Sequence, residues 1–294
     1  MINKKKSIVT MIIMGIVILI SSVAYMIFGP PESIKLGEGE LSDAEVAIHI
    51  IDVGQGDAAF IENGDHDILI DAGPGDSAEK LLEYLDGLGV YEIDYAFFSH
   101  PHEDHIGGAD DVISHYKVNN VIMPDYYEET ACYRRLMQGI DYEGAELVYA
   151  AAGDKFTIDD ITVEIFSPGP RYKPDNANAI SFIMKVSYGE IDAMFTGDAE
   201  TGNEDFALRN YGDALDCEIL KVGHHGSSTS TSEDFLYAVS PEVAVISVGE
   251  DNSYGHPHIE TLSLLNSYMD NIYRTDRHGD IVFGMTKDKY WIVE

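Results

Sequence analysis

The chain has 294 residues, 45% of them hydrophobic, enough for one large domain or two small ones with a sizeable core. Its 52 Asp and Glu outnumber 18 Lys and Arg, for a formal net charge of −34, which argues against a protein that grips nucleic acid through a broad basic face. Two cysteines, Cys132 and Cys217, are too few for a disulfide framework and lack metal-knuckle spacing.

Lys4, Lys5 and Lys6 precede an uncharged stretch from Ser7 to Pro31, apolar from Ile8 to Ile20 and again from Val23 to Phe28. Roughly twenty apolar residues span a bilayer as a helix, and flanking basic residues hold that end in the cytoplasm. Residues 1–31 are therefore expected to form a basic tail and transmembrane signal-anchor, residues 32–44 a polar linker, and residues 45–294 an extracellular domain on a single-pass membrane protein. The competing expectation is a cleaved signal peptide, since Ser21-Ser22-Val23-Ala24 offers small residues near a cut, which would leave the domain secreted. The apolar run past that point favours the uncleaved anchor.

From Glu45 onward strands and helices alternate. Val46 to Val53 reads as a strand, Gly54-Gln-Gly-Asp57 as a tight turn, Ala58 to Glu62 as a returning strand, and Asn63-Gly64 as a hairpin turn into Asp67 to Asp71. Ala78 to Leu88 has helical spacing with Gly89 as its stop. Glu92 to Ser99 is the next strand, and further strands are expected at 120–123, 147–149, 161–166, 180–186, 191–196, 217–222, 243–248, 272–274, 280–283 and 290–293.

The strand from Glu92 delivers Ser99-His-Pro-His-Glu-Asp-His-Ile-Gly-Gly108, which places His100, His102, Asp104 and His105 within six positions. Nitrogen and oxygen donors this dense suit zinc, manganese or iron better than calcium or magnesium. On an extended segment His100 and His102 point the same way, and Asp104 and His105 follow as the chain turns into a helix, aimed at a second metal. Other candidate ligands recur at strand ends: Asp71, Asp198 in Thr-Gly-Asp, and the pair His224-His225.

With the segments Ile51-Asp-Val-Gly-Gln-Gly-Asp-Ala58, Asp71-Ala-Gly73, Asn178-Ala-Ile-Ser181, Leu220-Lys-Val-Gly-His-His-Gly-Ser227 and Tyr254-Gly-His-Pro257, these motifs resemble the metallo-β-lactamase superfamily. More narrowly they are similar to the extracellular hydrolase domain of ComEC, the DNA-uptake channel of bacterial competence. The resemblance implies an α/β fold, a four-layer αββα sandwich with two divalent metal ions, Zn or Mn, at one edge. One metal would be held by His100 and His102, the other by Asp104 and His105, with Asp198 bridging and His224 completing the set. Asp104, His225 and His256 would take part in catalysis, His225 or His256 as proton donor or phosphate contact. Superfamily members supply a further histidine before the bridging aspartate. Here that interval holds only His115, so one metal is expected to be short of a ligand and weakly held. Asp57, Asn178, Ser181 and Lys221 would line the site, Lys221 either as a solvated edge residue or as a cation near a substrate phosphate. Asp71 would accept a hydrogen bond from a ligating imidazole.

Two cations a few Å apart lower the pKa of a shared water and neutralise charge on a phosphoryl or carbonyl oxygen, so no serine nucleophile is required. The chain is accordingly expected to be an exported metal-dependent hydrolase, a phosphodiesterase or nuclease-like enzyme acting on an anionic ester such as DNA. Alternatives are a hydrolase of another ester, such as a cell-envelope phosphocholine ester or a lactone, and a non-catalytic envelope binding protein. Contact with the membrane through the N-terminal helix is expected, and no protein partner.

Overall fold

The computed structural model describes residues 39–293 apart from 65, 171, 173 and 175. The expected membrane anchor lies outside them, and among the described residues no helix is long and apolar enough to cross a membrane.

The chain begins with β1 (Val46–Ile50), β2 (Ala58–Glu62), β3 (Ile68–Ala72), β4 (Glu92–Phe97), β5 (Lys117–Met123) and β6 (Glu146–Tyr149). It then crosses to β7 (Lys155–Ile158), β8 (Ile161–Ser167), β9 (Ile183–Tyr188), β10 (Ile191–Phe195), β11 (Ile219–Lys221), β12 (Val243–Ile246) and β13 (Asn271–Arg274). Finally β14 (Ile281–Thr286) and β15 (Lys289–Val293) return to the first sheet. The first sheet runs β15-β14-β1-β2-β3-β4-β5-β6 and the second β13-β12-β11-β10-β9-β8-β7.

Each sheet is covered on its outer face by helices. Leu81 and Leu85 of the helix Ala78–Leu88, Val112 and Ile113 of Ala109–His115, and Leu136 and Ile140 of Ala131–Glu143 pack with Phe60, Leu69 and Val121 of the first sheet. Each such fully buried side chain contributes about 1.5–3 kcal/mol. Ala207, Phe235, Leu236 and Leu265, from the helices Thr201–Tyr211, Glu233–Val239 and Ile259–Tyr268, cover Met194, Leu220 and Ala244 of the second. The inner faces meet each other, as in the edge-on contact of Phe97 with Phe156 at 5.4 Å between ring centroids. The arrangement is the expected α/β sandwich of two sheets between helices. Strands buried on both faces explain why β1, with all five residues buried, is apolar except for His49, whose Nδ1 bonds the Tyr84 hydroxyl at 2.8 Å.

Most expected strands appear within three residues of their sequence bounds. β7, which carries Lys155 and Thr157 on an exposed edge, has no matching expectation. The helix Ala78–Leu88 ends at Gly89, whose φ of 79° allows its N–H to reach the carbonyls of Leu85 and Asp86.

The site follows from strand direction. β3 and β4 run parallel, as do β10 and β11, so the loops after β4, β10 and β11 emerge at one edge of the sandwich, beside Asp71 near the end of β3.

Candidate metal centre

After β4 the chain bends at His100 and Pro101 and reaches His102, the N-cap residue of the short helix Glu103–Ile106. That turn folds His105 back toward His100, their rings 4.2 Å apart, while the His102 ring lies 4.7 Å from that of His100. Asp198 arrives from the turn after β10. Its Oδ1 is 3.1 Å from His105 Nε2 and its Oδ2 is 3.8 Å from His100 Nε2. Gly197 makes this turn possible, because its φ is +48° and a side chain there would collide with Ser99.

Two groups of donors result, sharing Asp198. His100, His102 and Asp198 form a first half-site; Asp104, His105, Asp198 and His225 form a second, the donor atoms of each lying within 4.8 Å of one another. His225 Nε2 sits 3.3 Å from Asp104 Oδ2 and 3.5 Å from Asp198 Oδ1. The Nε2 atoms of His100, His105 and His225 and the Oδ1 of Asp198 are buried without hydrogen-bond partners. Burying polar atoms unpaired is costly, and this convergent set fits a pair of divalent cations of the nitrogen- and oxygen-preferring kind.

The imidazoles are held from behind. Asp71 Oδ2 accepts from His105 Nδ1 at 2.8 Å and from the Ser99 hydroxyl at 2.7 Å, while its Oδ1 accepts from the Ser99 amide at 2.7 Å. The Ser99 oxygen in turn accepts from His100 Nδ1 at 3.1 Å. One carboxylate therefore aims two rings, one directly and one through a hydroxyl, leaving both Nε2 atoms toward the site. Asp71 does this from the left-handed region, with φ 56°, a conformation that costs a non-glycine residue of order 1–3 kcal/mol. His225 Nδ1 is placed by the Ser247 carbonyl at 3.0 Å and Asp57 Oδ1 at 3.2 Å.

The charges agree with this geometry. Burial disfavours charge on His105 and His225, yet Asp198 with Asp71 holds His105 well above the usual imidazole range, and Asp198 with Asp57 pushes His225 up to about 10. Burial also opposes ionisation of Asp198 and Asp104, but His105 and His225 hold Asp198 well below the carboxylate range, and the His225 imidazole 3.3 Å away, with His105, brings Asp104 down to about 2. His100, pressed by burial and by His105, is held neutral. Without a metal the carboxylates recruit protons as their positive charge; a divalent cation supplies the same charge and releases them.

The structure places the remaining expected residues as follows. His224 and His225 both adopt left-handed backbone, φ 51° and 53°, which turns their rings apart. His225 goes inward, 1% exposed, and His224 goes to the rim, its Nδ1 3.1 Å from Thr229 Oγ1 and its Nε2 3.5 Å from Asp198 Oδ2. The expected order is thus reversed: His225 joins the donor group and His224 does not. With Nδ1 bonded to the Ser247 carbonyl and Nε2 turned toward Asp104 and Asp198, His225 sits among the donors. Lys221 is neither solvated nor substrate-facing, since its ammonium is buried 2.7 Å from Asp57 Oδ2. Ser181 is fully buried and accepts from the Asp198 amide at 3.2 Å, so it supports the bridging residue. His115 is on the surface, 3.2 Å from Asp86. Asn178 does reach the site. It lines a cavity of about 310 Å³ with Gln55, His102, Asp104, His224 and His256, its Oδ1 buried and unpaired. His256 stacks beside Tyr254 at 5.7 Å, and Asn252 clamps its backbone amide and carbonyl. The aiming role of Ser99 was not anticipated, nor was that of Ser247. Adjacency to His100 was the signal available for the first; for the second there was none.

Residues 51–250 match the family model of the metallo-β-lactamase superfamily. The chain belongs to that superfamily, and fold and donor set together make it a metal-dependent hydrolase. Within it the domain is ComEC-like: it is 30% identical over 259 residues to ComE operon protein 3 of Bacillus subtilis (strain 168), covering 82% of this chain and 33% of that protein. It is 31% identical over 246 residues to competence protein ComA of Neisseria gonorrhoeae, covering 82% and 32%. The chain thus spans about a third of the length of these relatives. Among solved structures it resembles the metallo-β-lactamase fold protein YhfI from Bacillus subtilis, with a TM-score of 0.52 at 12% identity over 84% of this chain and 99% of that one.

Proposed function

We propose that the protein is an exported phosphodiesterase that uses two divalent metals to cleave an anionic ester, single-stranded DNA being the first substrate to test. The observation that carries this reading is the convergence of four unpartnered buried donor atoms beside an open cavity of about 310 Å³. The similarity to competence proteins supports it. So does the hydrophobic run that precedes the domain.

Bound metals would supply Lewis-acid stabilisation of phosphoryl oxygens and a lowered pKa for water, with His100 and His102 holding one, Asp104, His105 and His225 the other, and Asp198 bridging. The chain's own residues do the rest. Asp71 and Ser99 fix the protons of His105 and His100 at Nδ1, away from the cavity. Asn178 brings an amide and His224 an imidazole to the wall where a substrate oxygen would lie. Burial, then the neighbouring His224 and His225, push His256 down to about 4, which suits it to donate a hydrogen bond as a neutral ring better than to store a proton.

The test is a substrate panel with Mn²⁺- or Zn²⁺-loaded protein: bis(p-nitrophenyl) phosphate, single-stranded DNA, a phosphocholine ester and a lactone. Turnover of the first two, abolished in His102→Ala and Asp198→Ala, is expected. Turnover of the choline ester or lactone alone would move the assignment to another ester hydrolase. Metal binding with no turnover of any would leave a binding protein on an enzyme's fold.

A further inference from the structure

A buried lysine stands behind the second half-site. Leu220 of β11 faces the covering helices, so Lys221 points between the sheets, where it and Asp57 are 5% and 7% exposed at their side chains. Its ammonium donates to Asp57 Oδ2 at 2.7 Å and to the Val222 carbonyl at 3.1 Å. Asp57 comes from the first sheet's β1–β2 turn, so the pair ties one sheet to the other.

Asp57 has two imidazoles within reach. Its Oδ1 lies 3.2 Å from His225 Nδ1 as an ion-pair contact beside the hydrogen bond of that nitrogen to the Ser247 carbonyl at 3.0 Å, and its Oδ2 is 4.0 Å from His105 Nδ1. His105 already has Asp71 at 2.8 Å. By drawing Oδ2 onto its ammonium, Lys221 leaves Oδ1 for His225 and keeps Asp57 off His105. Asp57 is then left to His225, while Asp71 serves His105 directly and His100 through Ser99. We propose that Lys221 is a positioning residue that, through Asp57, aims His225 into the second half-site and so sets how tightly that half-site holds its metal. The first half-site, whose His100 is held through Ser99 and Asp71, has no contact with the Lys221–Asp57 pair. The proposal does not depend on which ester is cleaved.

Zn²⁺ titration by calorimetry of the full chain tests it, with the chelator-treated protein's melting temperature as a control for folding. In Lys221→Met the tighter Zn²⁺ equivalent should weaken roughly 10–100-fold, the range seen when a partner behind a metal-ligating histidine is lost, and the weaker equivalent should not move. Because the single variant strands a buried carboxylate, the paired variant Asp57→Asn with Lys221→Met removes both charges while keeping size. It should show the same selective loss. A folded variant of either kind that binds both equivalents as the parent does overturns the proposal, and so does equal weakening of both. In the unsubstituted protein, the solvent-protected ¹⁵Nζ signal of Lys221 should shift with the tighter equivalent only. A signal indifferent to it would also overturn the assignment.

Discussion

The two half-sites share Asp198 but are built unequally. The second gathers Asp104, His105 and His225 around it, with Asp57 and Asp71 behind. The first has His100 and His102, the one backed by a hydroxyl, and both halves reach the cavity, the first through His102 and the second through Asp104 and His225. Carboxylates concentrated on one side favour a tightly held cation there. A side poorer in ligands favours an exchangeable one. The asymmetry makes the two halves unequal holders of a metal.

The harshest way to break this comparison is to remove what both halves share. Asp198→Ala should abolish turnover of bis(p-nitrophenyl) phosphate by roughly 10³-fold or more, the scale of losing a major electrostatic stabiliser, and elemental analysis should find both metals depleted. Next, His225→Ala and His102→Ala separate the halves. After dialysis against trace metal the first variant should lose the tight equivalent and the second only the weak one; equal losses would sink the idea of unequal halves. Asp71→Asn reaches both halves through His105 and Ser99, and should weaken each metal roughly 10–100-fold in titration.

Acidity sharpens the contrast further. In the metal-free protein His225 and His105 hold protons more tightly than an unfolded chain does. Their share of stability is therefore whole below about pH 6.5 and is lost as the pH rises, for His225 through about 10. Asp104 acts in the opposite sense, its share being present above the ordinary 3.8 and lost as the pH falls toward about 2. Calorimetry between pH 7 and pH 10 should show the chelated protein melting earlier as pH rises. The Zn²⁺-loaded protein should keep its melting temperature, because ligand deprotonation favours metal there. The smallest effect is a control remote from both halves: Gly89→Ala, forced into left-handed backbone, should cost about 1–2 kcal/mol in chemical denaturation and leave both Zn²⁺ affinities unchanged.

Much of this was legible in the residues. His100, His102, Asp104 and His105 lie close in sequence, and Asp198 and the histidine pair follow strands whose apolar runs give their positions. What was hidden depends on orientation across sequence distance. Which of His224 and His225 turns inward is decided by two left-handed residues in succession, and no spacing rule reads that. Lys221 looks like an edge cation until β11 is seen with Leu220 on its helix side and Asp57 opposite, from the other sheet. The helix Thr201–Tyr211 escaped notice because its buried residues, Asn203, Glu204 and Ala207, form no apolar stripe. Glu204 is buried to receive the amides of Thr231 and Ser232.

Asp71 carries two demands that few side chains can meet together. Its backbone angle tolerates glycine or asparagine, but glycine offers His105 and Ser99 nothing, and asparagine trades one acceptor oxygen for a donor and gives up the charge. Glutamate keeps the charge but pays the strain and overreaches by a methylene. Evolution can thus discard this position in a single step yet has almost no neighbouring sequence through which to retune it, and drift in metal preference or rate must enter at the open wall of the cavity instead.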